Sequence, residues 1–154
     1  QAASFLGGLS HFRSNWPATS TSTIGRDHLS MDRGAGTVRA LLIDDDLTWL
    51  EAARKTIEGL GAEVTINIGS LGALSAARIF CPDVVFLDLS MPQLEGSWLF
   101  AELKKTVPRI FFCFDSAPGI FNQFARAVGA SGTIPKQEIR AGSAELRAII
   151  ERRT

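Results

Sequence analysis

The chain has 154 residues, one domain's length, with 45% hydrophobic and 21% charged residues, the balance of a soluble globular protein. Sixteen basic and sixteen acidic residues cancel and the pI is near 6.9, which excludes the strongly basic character of a nucleic-acid binder. No apolar run approaches the roughly 18 residues of a membrane span, and Gln1 to Phe12 lack the features of a signal peptide, so a cytoplasmic protein with no membrane partner is expected.

Residues 1–37 read as a flexible N-terminal tail or linker. Gly7, Gly8, Pro17, Gly25, Gly34 and Gly36 are scattered through them, Ser and Thr crowd Thr19 to Thr23, and no apolar period persists. His11 and His28 are expected there as solvent-exposed tail residues. From 38 to 153 strands and helices alternate. Val38 to Ile43 is a buried parallel strand by its continuous apolar run. Asp46 to Leu60 is a helix with Trp49, Ala52, Ala53, Ile57 and Leu60 inward, stopped by Gly61. Val64, Ile66 and Ile68 alternate as a second strand. Ser70 is expected to cap a second helix through Phe80, with Leu71, Leu74 and Ala77 inward. Val84 to Leu87 is a third strand, Ser97 to Lys105 a third helix, Ile110 to Phe114 a fourth strand and Ile120 to Val128 a fourth helix. Thr133 and Ile134 make a short fifth strand, and Ser143 to Arg153 a last amphipathic helix. Such a sequence of βα units predicts an α/β fold, a doubly wound, mostly parallel sheet. Cys81 and Cys113 are expected as two reduced, buried thiols.

Ligands of such sheets bind at the carboxyl ends of the strands. Here the first strand ends in Asp44-Asp45-Asp46, the third in Asp88, the fourth in Asp115-Ser116, and the fifth runs into Lys136. Like charges at about 4 Å and an effective dielectric near 20 cost about 4 kcal/mol per pair, which a divalent cation relieves. Clustered oxygens without His or Cys select a hard ion, so Mg²⁺ is the expected metal. A lysine and a hydroxyl at the same edge supply what a phosphoryl group needs. The edge therefore reads as Mg²⁺-dependent phosphoryl handling with an aspartate nucleophile.

Residues 38–153 resemble the receiver domain of two-component response regulators. The resemblance is carried by Leu41-Leu42-Ile43-Asp44-Asp45-Asp46, by Asp83-Val84-Val85-Phe86-Leu87-Asp88-Leu89-Ser90-Met91-Pro92 with Gly96, and by Gly129-Ala130-Ser131-Gly132-Thr133-Ile134-Pro135-Lys136. It implies a flavodoxin-like (βα)5 fold with strand order 2-1-3-4-5. It implies that Asp88 accepts a phosphoryl group from the histidine of a partner, a histidine kinase or histidine phosphotransfer protein. Asp44 and Asp45 would hold Mg²⁺, Asp45 directly and Asp44 through water, with Asp88 and the Ser90 carbonyl. Lys136 would pair with the phosphoryl oxygens, and Ser116 supply the hydroxyl; a different gap placement puts Cys113 there. The chain would then be a receiver with an N-terminal extension and no output domain, acting through a downstream protein partner or as a homodimer.

Two other readings were open to the same residues. Asp44-Asp45-Asp46-Leu47-Thr48 also fits the DxDxT motif of haloacid-dehalogenase-type phosphatases, with Asp44 as nucleophile and Asp46 as general acid. Against it, no acidic pair follows Lys136 at a strand end, and Asp88 precedes Ser116. The other is a non-phosphorylated receiver used as a docking module. It draws on two departures from the receiver pattern: Gln137 follows Lys136 where a proline is usual, so a trans peptide is expected, and Thr133 replaces an aromatic. A further departure, Asp115 before Ser116, adds a negative charge near the site. Trp98 is either an exposed contact residue or folded over the sheet edge. Phe121 and Phe124 are either core or partner face, and Trp49 is expected as packing.

Overall fold

A computed structural model describes residues 36–91, 96–115 and 118–152. Apolar runs buried on both faces form the strands β1 (Arg39–Asp44), β3 (Val84–Asp88) and β4 (Arg109–Phe114), and the less buried β2 (Glu63–Ile68) and β5 (Gly132–Pro135) flank them. All pair in parallel, in the order β2-β1-β3-β4-β5. The expected doubly wound five-stranded sheet is the one observed. The helices are α1 (Leu47–Gly59), α2 (Ala73–Phe80), α3 (Gly96–Lys104), α4 (Pro118–Val128), α5 (Lys136–Ala141) and α6 (Ala144–Glu151). Among the described residues no helix is long and apolar enough to cross a membrane. The expected tail, with His11 and His28, lies outside the described residues up to 35.

Successive strand residues point to opposite faces, and the two cores divide accordingly. Ala40, Leu42, Val84, Phe86, Cys113 and Ile134 pack with Leu50, Ala53 and Ile57 of α1, Ile139 of α5 and Leu146 of α6. Leu41, Ile43, Val85, Leu87 and Phe112 pack with Ala77 of α2, Leu99 and Leu103 of α3, and Ala125 of α4. The same parity carries Asp44, Asp88, Asp115 and Lys136 onto the α1 side at the carboxyl edge. One period-two rule thus builds both the core and the convergence of the charged residues.

The termini of α1 are set locally. Asp46 is its N-cap, with Oδ1 accepting a hydrogen bond from the Trp49 N–H at 3.1 Å. Asp46→Ala is expected to lower stability by about 1 kcal/mol and Asp46→Asn to restore it, as read by urea unfolding. Equal loss in both variants would show that the cap contributes nothing.

Three expectations are corrected. Ser70 does not cap α2. The helix starts at Ala73 after Gly72, which takes φ 78° and offers no side-chain cap, and Leu71 is 92% exposed instead of inward. Asn67 explains this: its amide donates to the Gly69 and Leu71 carbonyls at 2.7 and 3.0 Å and holds the loop off the helix. Cys81 is exposed, at the C-cap of α2 in the left-handed region, whereas Cys113 is buried as expected. Finally, Lys136–Ala141 forms a separate short helix, closed by Gly142 at φ 65°. Six residues give too few turns for a legible amphipathic period. The final helix follows as expected in position, with Ser143 as N-cap and Leu146, Ile149 and Ile150 buried.

Candidate phosphoryl-acceptor site

The carboxyl ends of β1, β3, β4 and β5 share one edge of the sheet, and the charged residues that end or follow them meet there. Lys136 Nζ lies 2.6 Å from Asp44 Oδ2, 3.2 Å from Asp88 Oδ2 and 3.7 Å from Asp115 Oδ2. Asp44, Asp88 and Lys136 are the buried charged residues among those described, whereas Asp115 is exposed. Buried charges persist only when paired and hydrogen-bonded. Here the backbone completes the set: the Asp46 N–H donates to Asp44 Oδ1 at 2.8 Å, and the Ser90 N–H to Asp88 Oδ1 at 2.9 Å. Each carboxylate thus has one oxygen held by the loop that follows its strand and one facing the ammonium. Asp44 Oδ2 is buried, and its close partner among the described residues is the Lys136 ammonium.

The electrostatics follow from that burial. Loss of water pushes the Asp44 carboxyl up to about 6, with the Asp88 charge adding to it, against the opposing pull of Lys136 and the Asp46 N–H. For Lys136 burial acts to lower the pKa, but the contacts with Asp44 and Asp88 outweigh it and hold the ammonium above its ordinary range. Cys113, paired with Asp88 across β3 and β4, is pushed up by burial first and by the Asp88 charge second. Its thiol stays protonated inside the sheet.

Asp44, Asp45 and Asp88 each bring a carboxylate oxygen within 4.8 Å of the others. Three hard oxygen donors, two of them on buried residues, fit a small divalent cation. Of the residues expected from the sequence, Asp44, Asp45, Asp88 and Lys136 are together, and Ser90 touches the site through its N–H. Ser116 lies outside the described residues. The Lys136–Gln137 peptide is trans, as expected. Thr133 Oγ1 donates to Asn122 Oδ1 and so ties β5 to α4. Trp98 is 56% exposed. Phe121 stacks on Phe114, and Phe124 on Phe112, with ring centroids 5.4 and 5.9 Å apart; Phe124 remains 43% exposed. One participant was missed: Trp49, expected as packing alone, has its ring centroid 5.1 Å from Lys136 Nζ.

The sequence pattern of the response regulator receiver domain matches residues 40–151. The chain belongs to this family. The receiver is 32% identical over 87 residues to the transcriptional regulatory protein PrrA of Mycobacterium leprae, a match covering 56% of this chain and 37% of PrrA. It thus spans little more than a third of that relative's length. Protein PilG of Pseudomonas aeruginosa is 27% identical over 112 residues, 69% of this chain and 82% of PilG. Among solved structures, a response regulator protein from Burkholderia multivorans is similar with a TM-score of 0.58 and 27% identity, covering 75% of this receiver and 96% of that chain. Receivers are signalling domains that work with histidine kinases or phosphotransfer proteins and generally bind Mg²⁺ at an acidic pocket.

Proposed function

We propose that this receiver is a phosphoacceptor and that Asp88 is its acceptor. An Asp88 carboxylate oxygen attacks the phosphorus of a phosphohistidine on a histidine kinase or histidine phosphotransfer protein. The new P–O bond forms as the P–N bond breaks, and the departing imidazole nitrogen takes a proton. The observation that carries this reading is the Lys136 ammonium, fixed within 3.2 Å of both buried carboxylates. A fixed cation at that spot can meet the equatorial phosphoryl oxygens without reorganising.

Asp44, Asp45 and Asp88 are the residues that would hold Mg²⁺, with the Ser90 carbonyl; Ser116 is the candidate hydroxyl donor. The ion, when bound, supplies positive charge that lets an anionic phosphoryl group approach three acids. The remaining work falls to the chain. The Ser90 N–H orients Asp88, the Asp46 N–H orients Asp44, and Lys136 holds its proton throughout. Asp46, which a phosphatase reading needs as general acid, is occupied in capping α1. Phosphorylation is then read by a protein partner or a second copy, through a shift in populations on the face of α4, β5 and the helices after it.

Intact-mass spectrometry with a small-molecule phosphodonor and Mg²⁺ tests this directly. One phosphoryl adduct is expected, absent without Mg²⁺ and absent in Asp88→Ala. No adduct, with Mg²⁺ binding intact, would overturn the reading in favour of a docking module. An adduct that survives Asp88→Ala and vanishes in Asp44→Ala would move the nucleophile to Asp44.

A further inference from the structure

An ammonium at the open edge of a parallel sheet ordinarily reaches water. Lys136 is nearly shut off from it: its side chain keeps 9% of its accessible area, although Asp115, 3.7 Å away, is exposed. The indole of Trp49 contributes to this shielding. It stands on the first turn of α1, packs against the core on that side of the sheet, and has its ring centroid 5.1 Å from Nζ. An aromatic face attracts a cation through its quadrupole, and more strongly where water is excluded. The indole N–H is buried without a hydrogen-bond partner among the described residues. Buried Trp usually finds one, so the polar handle is idle here and the ring face makes the contact. A lysine is a point charge on a flexible stem. Pro135 at φ −62° fixes how the backbone enters α5 but leaves the side-chain torsions free. Two buried carboxylates and the exposed Asp115 pull the ammonium, and an apolar wall limits where else it can go.

We propose that Trp49 is a positioning residue whose indole face holds the Lys136 ammonium against Asp44 and Asp88. The consequence for phosphorylation rests on the phosphoacceptor reading; the contact itself does not. Trp49→Phe keeps a ring face, whereas Trp49→Leu keeps apolar bulk without one. Ring currents shift protons above an aromatic face upfield, so the Lys136 ε-methylene protons report the contact by nuclear magnetic resonance, without metal or phosphodonor. The upfield shift is expected in the parent and in Trp49→Phe and is lost in Trp49→Leu. Phosphorylation of Asp88 is expected to slow about tenfold in Trp49→Leu and to stay within about twofold of the parent in Trp49→Phe. Trp49→Met supplies the same contrast if the leucine variant fails to fold. Ordinary Lys136 shifts in the folded parent, or a parental rate in a folded ring-less variant, would overturn the inference. A parent that shows the shift but takes no phosphoryl group overturns the phosphoacceptor reading and leaves the contact standing.

Discussion

Lys136→Met is expected to destabilise the metal-free protein by about 3 kcal/mol at pH 8 and by clearly less at pH 5. The methionine fills the space of the stem, so the loss is electrostatic rather than a cavity. Without the ammonium, Asp44 and Asp88 are two buried like charges with one backbone N–H each among the described residues. The pH dependence follows from the direction of the shifts. In the parent the folded Asp44 carboxyl sits at about 6 against an ordinary value of 3.8. An acid raised by folding contributes stability that is full below its unfolded pKa and is lost as pH rises through its folded pKa. Removing Lys136 raises Asp44 further, so the variant sheds stability more steeply toward alkaline pH. Lys136 itself is raised by folding, so it is charged at both pH values and the difference between them comes from the carboxylates it meets. Urea unfolding of parent and variant at the two pH values measures the difference. An equal loss at pH 5 and pH 8 would show that the carboxylates do not depend on the lysine.

The strands and their acids were legible because one short-range rule governs both. A continuous apolar run such as Val84 to Leu87 has to be buried on two faces, and the first charged residue after it, Asp88, marks where the strand meets the open edge. Parity then carries Asp44, Asp88 and Lys136 to one side. Their shared edge was legible in the sequence, and the ion pairs of Lys136 with Asp44 and Asp88 are seen in the structure. The misses came where a side chain answers to something outside its own element. Ser70 was a sound cap by residue type, but Asn67 reaches across the loop and fixes its course. Cys81 has apolar neighbours in sequence, yet it sits in the left-handed turn that ends α2, which turns it outward. Trp49 matched the inward row of α1. That row also passes the end of β5, and only the strand order brings the indole to Lys136.

The same carboxylates set the behaviour expected with metal. At pH 7.5, Mg²⁺ at about one hundred times its dissociation constant is expected to stabilise the protein by about 2.7 kcal/mol. The bound ion requires Asp44 ionised, and Asp44 titrates at about 6. Between pH 7.5 and pH 5 the affinity therefore falls about tenfold, which removes about 1.4 kcal/mol of that stabilisation at fixed Mg²⁺. Asp45 separates the metal effect from the ion pair. It is exposed and belongs to the carboxylate cluster, whereas the close contacts of Lys136 are with Asp44, Asp88 and Asp115. Asp45→Asn should leave the metal-free unfolding curve unchanged and flatten the response to Mg²⁺. On the proposed ligand set Lys136 and the ion share Asp44 and Asp88, so Lys136→Met should bind Mg²⁺ more tightly than the parent while being less stable without it. Thermal unfolding across a Mg²⁺ titration at both pH values tests all three. An affinity that does not change with pH would remove Asp44 from the ligand set, and a full Mg²⁺ response in Asp45→Asn would put the ion elsewhere.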